Sequence, residues 1–438
     1  MEDLTARLLA AGTDPAQAEA LAAQGLELRR LDGHDPAQAH AWLDAVSRGF
    51  LEPERTDAQR TAFEARARGV RLLGVLDAQA PRPDLPVATL TSWAGELTVP
   101  GGTVPTCAVS GVTVSPTHRR RGVLRALLTG ELRTAAALGL PLASLTVSES
   151  AIYGRFGFAP AVLATQATID VRRAGWVGPV PLGRVDVVAR DRVRDVLAAL
   201  HDRVRVSTPG EMDVPPVVWD ELLRLTPEAE RPGEVRAVQH RAPGGEVEGV
   251  LLYTVTPDSH DDAGATVDVE RLVAATPDAY AALWRFVLSM DLVARVRAHD
   301  LSSDEPLWWM LADRRAATVT VRDQHYLRVL DVAAALGARR YDVDDALVLE
   351  VADPLDIAGG RFLVTVRDGH ATVVRDAPAS AVGDAPVVRL GVGALSAVLL
   401  GAVSPVTLAR AGLLMADDPA RLARLFASVE PVRLSSTY

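Results

Sequence analysis

Three consecutive arginines, Arg119, Arg120 and Arg121, followed by Gly122, stand between a valine-rich segment and a leucine-spaced one. Val109, Val112 and Val114 suit a largely buried strand. Ser115-Pro116 ends it, because proline cannot donate to a ladder. Leu124, Leu127 and Leu128 then recur at helical spacing. Guanidiniums at a helix start, with the free N–H groups of the first turn and the positive end of the helix dipole, form an anion site. Gly122 lets the backbone approach that anion closely. A charge run elsewhere is an ordinary solvated face. Set between strand and helix with the glycine in place, this one reads as a diphosphate seat.

The elements on either side must hold that loop. Residues 2 to 25 are alanine-rich, with Asp14-Pro15 as N-cap and first helical position, and read as a helical extension. Leu26 to Leu31 alternates as a strand, and Asp35-Pro36 opens a helix to about Phe50 with Ala39, Trp42, Leu43 and Val46 on one face. Val70 to Leu76, Val87 to Trp93 and Thr103 to Val114 continue as an antiparallel meander. The helix after Gly122 runs to about Leu138 and is stopped by Gly139. Leu142 to Val147 is the next strand, Ser148 to Gly157 a loop or short helix, and Thr165 to Val171 a returning strand.

At 438 residues the chain is long enough for about three domains. Its 48% hydrophobic and 23% charged content is that of a globular protein. No apolar run is fit to span a bilayer, and Met1-Glu2-Asp3 lacks a cationic signal region, so a cytoplasmic protein without membrane partners is expected. The net charge of −10 disfavours nucleic acid and favours cationic partners. Cys107 is the only cysteine, which excludes an intramolecular disulfide and a cysteine zinc site. There is no lysine, so self-acetylation on a lysine side chain is excluded.

Arg119-Arg120-Arg121-Gly122-Val123-Leu124 resembles the Arg/Gln-x-x-Gly-x-Gly/Ala loop of GNAT-type N-acetyltransferases, which cradles the pyrophosphate of acetyl-CoA, although Leu124 replaces the small residue. Together with the preceding Val114-Ser115-Pro116-Thr117-His118 and with Ser148-Glu149-Ser150-Ala151-Ile152-Tyr153-Gly154-Arg155-Phe156-Gly157-Phe158-Ala159-Pro160, it is similar to the enhanced intracellular survival (Eis) acetyltransferases. The resemblance implies an α/β (α+β) fold: two GNAT-like mixed-sheet domains in tandem plus a sterol-carrier-like C-terminal α+β domain. The corresponding spans are 1–25 for the extension, 26–163 for the acetyl-CoA-binding domain, 164–318 for a degenerate second GNAT-like domain and 319–438 for the last. It further implies acetyl-CoA as co-substrate, no metal, and a homohexamer built as a trimer of dimers. Val112, Thr113 and Val114 would pair with the pantetheine arm and offer an N–H to the acetyl oxygen. Arg120, Arg121, Gly122, Val123, Leu124 and Arg125 would hold the pyrophosphate, with Ser148 and Glu149 as further contacts. Tyr153 matches the general acid, and the carboxylate of the last residue, Tyr438, the general base.

The remaining chain fits this division. After Gly175 to Pro181 come strand Arg184–Val188, helices Asp191–Val204 and Pro216–Leu225, strands near Arg236–Gln239 and Val250–Val255, a helix capped at Thr276-Pro277, and strand Val293–Ala298. No arginine loop occurs there, so this half is not expected to bind acetyl-CoA. From about Gln324, Val329–Leu336 reads as a helix, Ala346–Val351, Arg361–Val366 and Ala371–Arg375 as strands, and Ser404-Pro405 and Asp418-Pro419 as helix starts. Gly391-Val392-Gly393 lacks the third glycine of a dinucleotide fingerprint and reads as a plain strand-to-helix turn.

Acetyl transfer from a thioester to an amine needs an uncharged amine, a polarised carbonyl, stabilised oxygen charge and a proton for the departing thiolate. A phenol of pKa about 10 gives its proton to a thiolate of about 8.5 uphill by roughly 2 kcal/mol, tolerable if nearby charge tunes it or if it only hydrogen-bonds the sulfur. A terminal carboxylate of about 3.5 is too weak to take a proton directly from an ammonium, but it can orient the amine and pass the proton through water. The aromatic Tyr438 suits an anchored terminus better than a frayed one. An acidic chain with such a site would draw small polycationic amines, and the resemblance points among these to aminoglycosides. The competing readings are a protein lysine acetyltransferase and a non-catalytic lipid-binding module.

Overall fold

In the computed structural model, which describes residues 1–438, Asp14 and Asp35 each cap a helix opened by the following proline. Helices α1 (Glu2–Ala10) and α2 (Pro15–Ala22) are not a loose appendage. Leu8 and Leu21 lie in the same buried cluster as Leu127, Leu128 and Leu132 of the helix after the arginine loop. There follow β1 (Leu26–Leu31), α3 (Pro36–Gly49), α4 (Asp57–Ala67), β2 (Arg71–Asp77), β3 (Ala88–Val99), β4 (Gly102–Val114), α5 (Val123–Ala137), β5 (Leu142–Thr146), α6 (Ser150–Tyr153) and β6 (Ala159–Asp170). The sequence reading has no counterpart for α4. It starts on a capping box between Thr56 and Gln59 and turns Phe63 and the buried Ala67 toward Trp42 of α3.

Next come α7 (Val171–Ala174), β7 (Arg184–Val188), α8 (Arg190–Arg205), α9 (Pro216–Leu222), β8 (Arg236–Arg241), β9 (Val247–Thr256), β10 (Ala265–Ala274), α10 (Pro277–Leu288), β11 (Val293–Leu301), α11 (Leu307–Met310) and β12 (Ala317–Val329). The chain closes with α12 (Val332–Ala338), β13 (Asp345–Ala352), β14 (Gly360–Arg367), β15 (His370–Arg375), α13 (Ala379–Val382), β16 (Val387–Gly391), α14 (Val392–Val398), α15 (Pro405–Arg410), β17 (Leu414–Met415) and α16 (Pro419–Leu425). No helix is long and apolar enough to cross a membrane.

Two units result: residues 1–161, 325–427 and 438, and residues 162–324 and 428–437. In the first, the sheet order is β1-β2-β3-β4-β5, and His325–Val329 of β12 pair antiparallel with β5. The helix expected over Val329–Leu336 therefore starts later. Asp331 caps α12 through Ala334 N at 3.0 Å, and the residues before it are strand. Residues from Val332 build a separate sheet, ordered β15-β14-β13-β16-β17. Gly391 leads from β16 straight into α14, the plain turn its missing third glycine implies. In the second unit the order is β6-β11-β10-β9-β8-β7, packed on α10 around Trp284 and Leu251.

Candidate active site

The site begins with a defect in β4. Its register against β3 runs Ala88↔Val114 and Thr89↔Thr113, then slips so that Thr91 faces Ser110. The extra residue is a bulge at Gly111, which has φ +56°. A Cβ there would come 2.6 Å from the Trp42 ring, and Thr89 Oγ1 donates to Gly111 O at 2.7 Å. Val109 is buried, whereas Val112 and Val114 beyond the bulge turn to line a cleft. The strand is thus only half the buried strand the valines suggested. Val109 and Val112 are three apart, which in a regular strand would put them on opposite faces. That mismatch beside a glycine is the sequence signal of the bulge.

Parallel pairing of β4 with β5 covers only Thr106–Ala108 against Leu142–Ser144. Beyond it β4 continues to Val114, leaving the backbone of Val112–Val114 without a strand partner on that side. The resulting cleft, about 580 Å³, is lined by Gly49, Phe50, Val112–Val114, His118, Arg119, Arg120, Gly122–Arg125, Glu149, Ile152, Tyr153, Arg155 and Phe156. Gly49 at the end of α3 and its C-cap Phe50 are lining residues for which the sequence reading has no counterpart. Gly49 must be glycine because a Cβ would collide with the Thr113 side chain.

At the other wall, α5 starts on Gly122 at φ +76°, with no side chain capping its first turn. A Cβ on Gly122 would meet nothing within 4 Å, so the amides open onto the cleft. Arg119, Arg120 and Arg125 line it, and Arg120 is itself left-handed at φ +64°. Arg121 is the exception among the predicted phosphate contacts. Its guanidinium donates to Gln24 O at 3.3 Å and is not part of the lining. His118 fixes the loop from below, with Nε2 3.0 Å from Asp77 Oδ2 and Nδ1 2.8 Å from Thr117 Oγ1. The His118 hydrogen bond and the Gln79 amide hold the Asp77 carboxyl below its ordinary range. An uncapped helix end, the three lining guanidiniums of Arg119, Arg120 and Arg125 and an open glycine suit a diphosphate, and the stretch of β4 left unpaired on its β5 side suits an extended amide-bearing arm.

Tyr153 ends α6 at the cleft, 8% exposed, with its ring edge-on to Phe158 at 6.1 Å. Burial, then the Glu149 carboxylate, pushes its phenol up to about 12. Burial first, and the Glu149 charge second, therefore tune Tyr153 away from acidity, the reverse of what easy proton release requires. Glu149 lines the cleft, whereas the exposed Ser148 lies outside the lining. Cys107 is fully buried, and burial followed by the Glu131 charge raises its thiol well above the usual range, which removes it as a nucleophile.

The last residue is anchored. Thr146 Oγ1 accepts from Tyr438 N at 3.2 Å and donates to Tyr438 O. The Tyr438 hydroxyl donates to Ser144 Oγ at 2.7 Å and lies 2.8 Å from His325 Nε2, and the ring meets Trp93 edge-on. The chain end thus sits at the end of β5, on the strand that leads into Ser148 and Glu149, though Tyr438 is not a lining residue of the cleft.

The second unit repeats the strand–helix–strand plan, with β10 and β11 parallel around α10. Its helix start is closed: Thr276 Oγ1 accepts from Ala279 N and donates to Glu248 at 2.9 Å. A bulged and splayed β-strand pair with an open cationic helix start between the strands defines a GNAT-type acetyltransferase, which uses acetyl-CoA. Acetyltransferase (GNAT) domain models match residues 32–161 and 210–329, and a Sterol carrier protein domain model matches 332–434. An uncharacterized N-acetyltransferase of Streptomyces griseus is 38% identical over 351 residues, covering 77% of this chain and 82% of that one. N-acetyltransferase Eis of Mycobacterium tuberculosis is 36% identical over 342 residues, covering 74% and 78%. The crystal structure of Eis1 from Mycobacterium abscessus superposes with a TM-score of 0.79 at 30% identity over 94% of this chain and all of that one. The chain belongs to the Eis family of N-acetyltransferases.

Proposed function

We propose that the chain acetylates amines of small polycationic molecules, aminoglycosides among them, by direct transfer from acetyl-CoA. The observation that carries this is the convergence of the uncapped α5 start, the unpaired Val112–Val114 backbone and Tyr153 on one cleft. Acetyl-CoA supplies the activated acyl group. The amides of Val123, Leu124 and Arg125, with Arg119 and Arg120, hold its diphosphate. The Val112–Val114 edge orients its arm and provides an N–H where oxygen charge develops. Tyr153 holds a proton against the departing sulfur. The anchored carboxylate of Tyr438 orients the amine and receives its proton through water. The acidic chain favours cationic acceptors, and the capped start of α10 accords with acetyl-CoA binding in the first unit only. A homohexamer is the assembly proposed for it.

The test is a panel of amines scored by CoA release. Aminoglycosides and polyamines are expected to turn over well above histone-like lysine peptides. Preference for the peptides would replace this substrate assignment with protein acetylation.

A further inference from the structure

Beneath the Tyr153 loop lies an ion pair that the reaction itself does not use. Arg328 and Asp353 both have fully buried side chains, and Arg328 Nη2 donates to both carboxylate oxygens of Asp353, at 2.8 and 2.7 Å. Asp353 also accepts from the amides of Leu355, Ile357 and Ala358, at 3.0, 3.0 and 2.7 Å, so the loop after β13 is wound around its carboxylate. Arg328 turns its remaining donors elsewhere: Nη1 to Val329 O, and Nε to Phe156 O at 3.2 Å. Phe156 is three residues beyond Tyr153, in the turn that ends the α6 segment. The same turn is pressed from a second side. A Cβ on Gly157 would come within 2.7 Å of Val392 Cγ1 at the start of α14 and 3.4 Å of Arg328 Nε. Leu355, from the Asp353 loop, enters the buried cluster that holds Tyr153, Phe156 and Phe158.

We propose that Arg328 and Asp353 are positioning residues for Tyr153, and that the sterol-carrier-like portion contributes to acetyl transfer by bracing the turn that carries this tyrosine. The inference rests on Tyr153 acting as the proton donor. Its physical basis is direction. Three nitrogens held by three separate acceptors, Nη2 by Asp353, Nη1 by Val329 O and Nε by Phe156 O, fix the plane of the Arg328 guanidinium, and the Nε donor then fixes the carbonyl at Phe156. A hydroxyl that must meet a departing sulfur tolerates little displacement, since an error of about 1 Å can cost two orders of magnitude in rate.

The test is a double-mutant cycle on the full-length protein, with kcat and the KM for acetyl-CoA measured by CoA release with an amine that the wild type acetylates. Asp353→Asn is expected to lower kcat about tenfold with KM little changed. In a Tyr153→Phe background the same substitution is expected to cost almost nothing further, because the group it positions is gone. Equal fold-losses in both backgrounds, or a rise in KM that accounts for the loss, would overturn the proposal. Leu355→Ala, which leaves the ion pair intact and thins the packing on the same loop, is put through the same cycle and decides by the same criteria where Asp353→Asn fails to fold. If Tyr153→Phe alone turns over at the wild-type rate, the donor assignment falls and the brace with it. An essential Tyr153 with additive losses defeats only the brace.

Discussion

Tyr153 shows what a buried phenol can and cannot do. With its pKa at about 12, full proton transfer to a thiolate of ordinary pKa, about 8.5, would run uphill by about 5 kcal/mol. Two effects narrow that gap. In the proposed reaction the departing thiolate would sit at the buried Tyr153 end of the cleft, where burial raises its pKa as well, and a hydrogen bond to sulfur would stabilise it before any proton moves. The high pKa has a direct kinetic signature: the phenol stays protonated throughout the usable alkaline range. The kcat profile is expected to stay level from about pH 8 to 10, and a decline with a midpoint below 10 would show that another group donates. Tyr153→Phe is expected to lower kcat by about 10² or more, with acetyl-CoA affinity unchanged by calorimetry. The role proposed for this residue comes from Ile152-Tyr153-Gly154-Arg155-Phe156-Gly157, and its place at the cleft is seen in the structure. Its pKa direction is not legible in the sequence, because it depends on how closely Glu149 and Phe158 fold against the ring. Arg121 illustrates the same limit, since nothing in three identical neighbours says which one turns to Gln24.

Among the elements, β4 and α5 do most to make the cleft, and each depends on one glycine for a different reason. Gly122 needs its positive φ but has open space around it, so Gly122→Ala meets only backbone strain, about 1 to 2 kcal/mol. The variant is expected to fold and to bind acetyl-CoA about tenfold more weakly, as measured by calorimetry, because the strain is relieved by shifting the amides proposed to hold the diphosphate. Gly111→Ala adds a collision with Trp42 to the same strain and is expected to destabilise by about 1 to 3 kcal/mol more. A Gly111→Ala protein that melts with Gly122→Ala would mean the bulge relaxes at no cost. The capped helix starts with proline at Asp14, Asp35, Thr276 and Asp418, the α5 periodicity and the β13–β15 meander are readable from local residue types. The α4 helix and β10 have no counterpart in the sequence reading: α4 carries a local signal in its Thr56–Gln59 capping box but buries only Ala67, so its apolar face is weak. β10 carries Asp268, Glu270 and Arg271 inside its strand, where their partners hide the alternation.

At the scale of the whole chain, linear order and packing part company. Residues 332–434 match a domain model of their own, yet 325–427 fold with 1–161 as one unit, through β12 on β5 and through Leu355 in the first core. Only partners distant in sequence reveal this, and the helical reading of Val329–Leu336 missed it. The segment 428–437 belongs to the other unit and is pinned there by buried charge. Glu211 accepts from Arg433 Nε, Ser435 N and Ser435 Oγ, and Ser302 Oγ donates to Val432 O. Beside it Glu305 is 3% exposed and accepts from Tyr280 and from Ser302 N. Burial raises its carboxyl to about 7, against the opposing pull of Arg433. A carboxyl raised from 4.5 binds its proton more tightly folded than unfolded. The stability it contributes is therefore complete below about pH 4.5 and is lost as pH climbs through about 7, a change of about 3 kcal/mol. His201, lowered by burial, works oppositely, with its contribution present above the ordinary histidine range and lost as pH falls. The two overlap, so the wild-type melting curve alone does not isolate Glu305. The difference between wild type and Glu305→Gln does: the variant is expected to gain melting temperature relative to wild type steadily from pH 5 to 7.5 and then hold a constant offset. A difference that does not change with pH would mean that Glu305 is ionised beside Arg433 throughout, and that the tail is held by an ordinary ion pair.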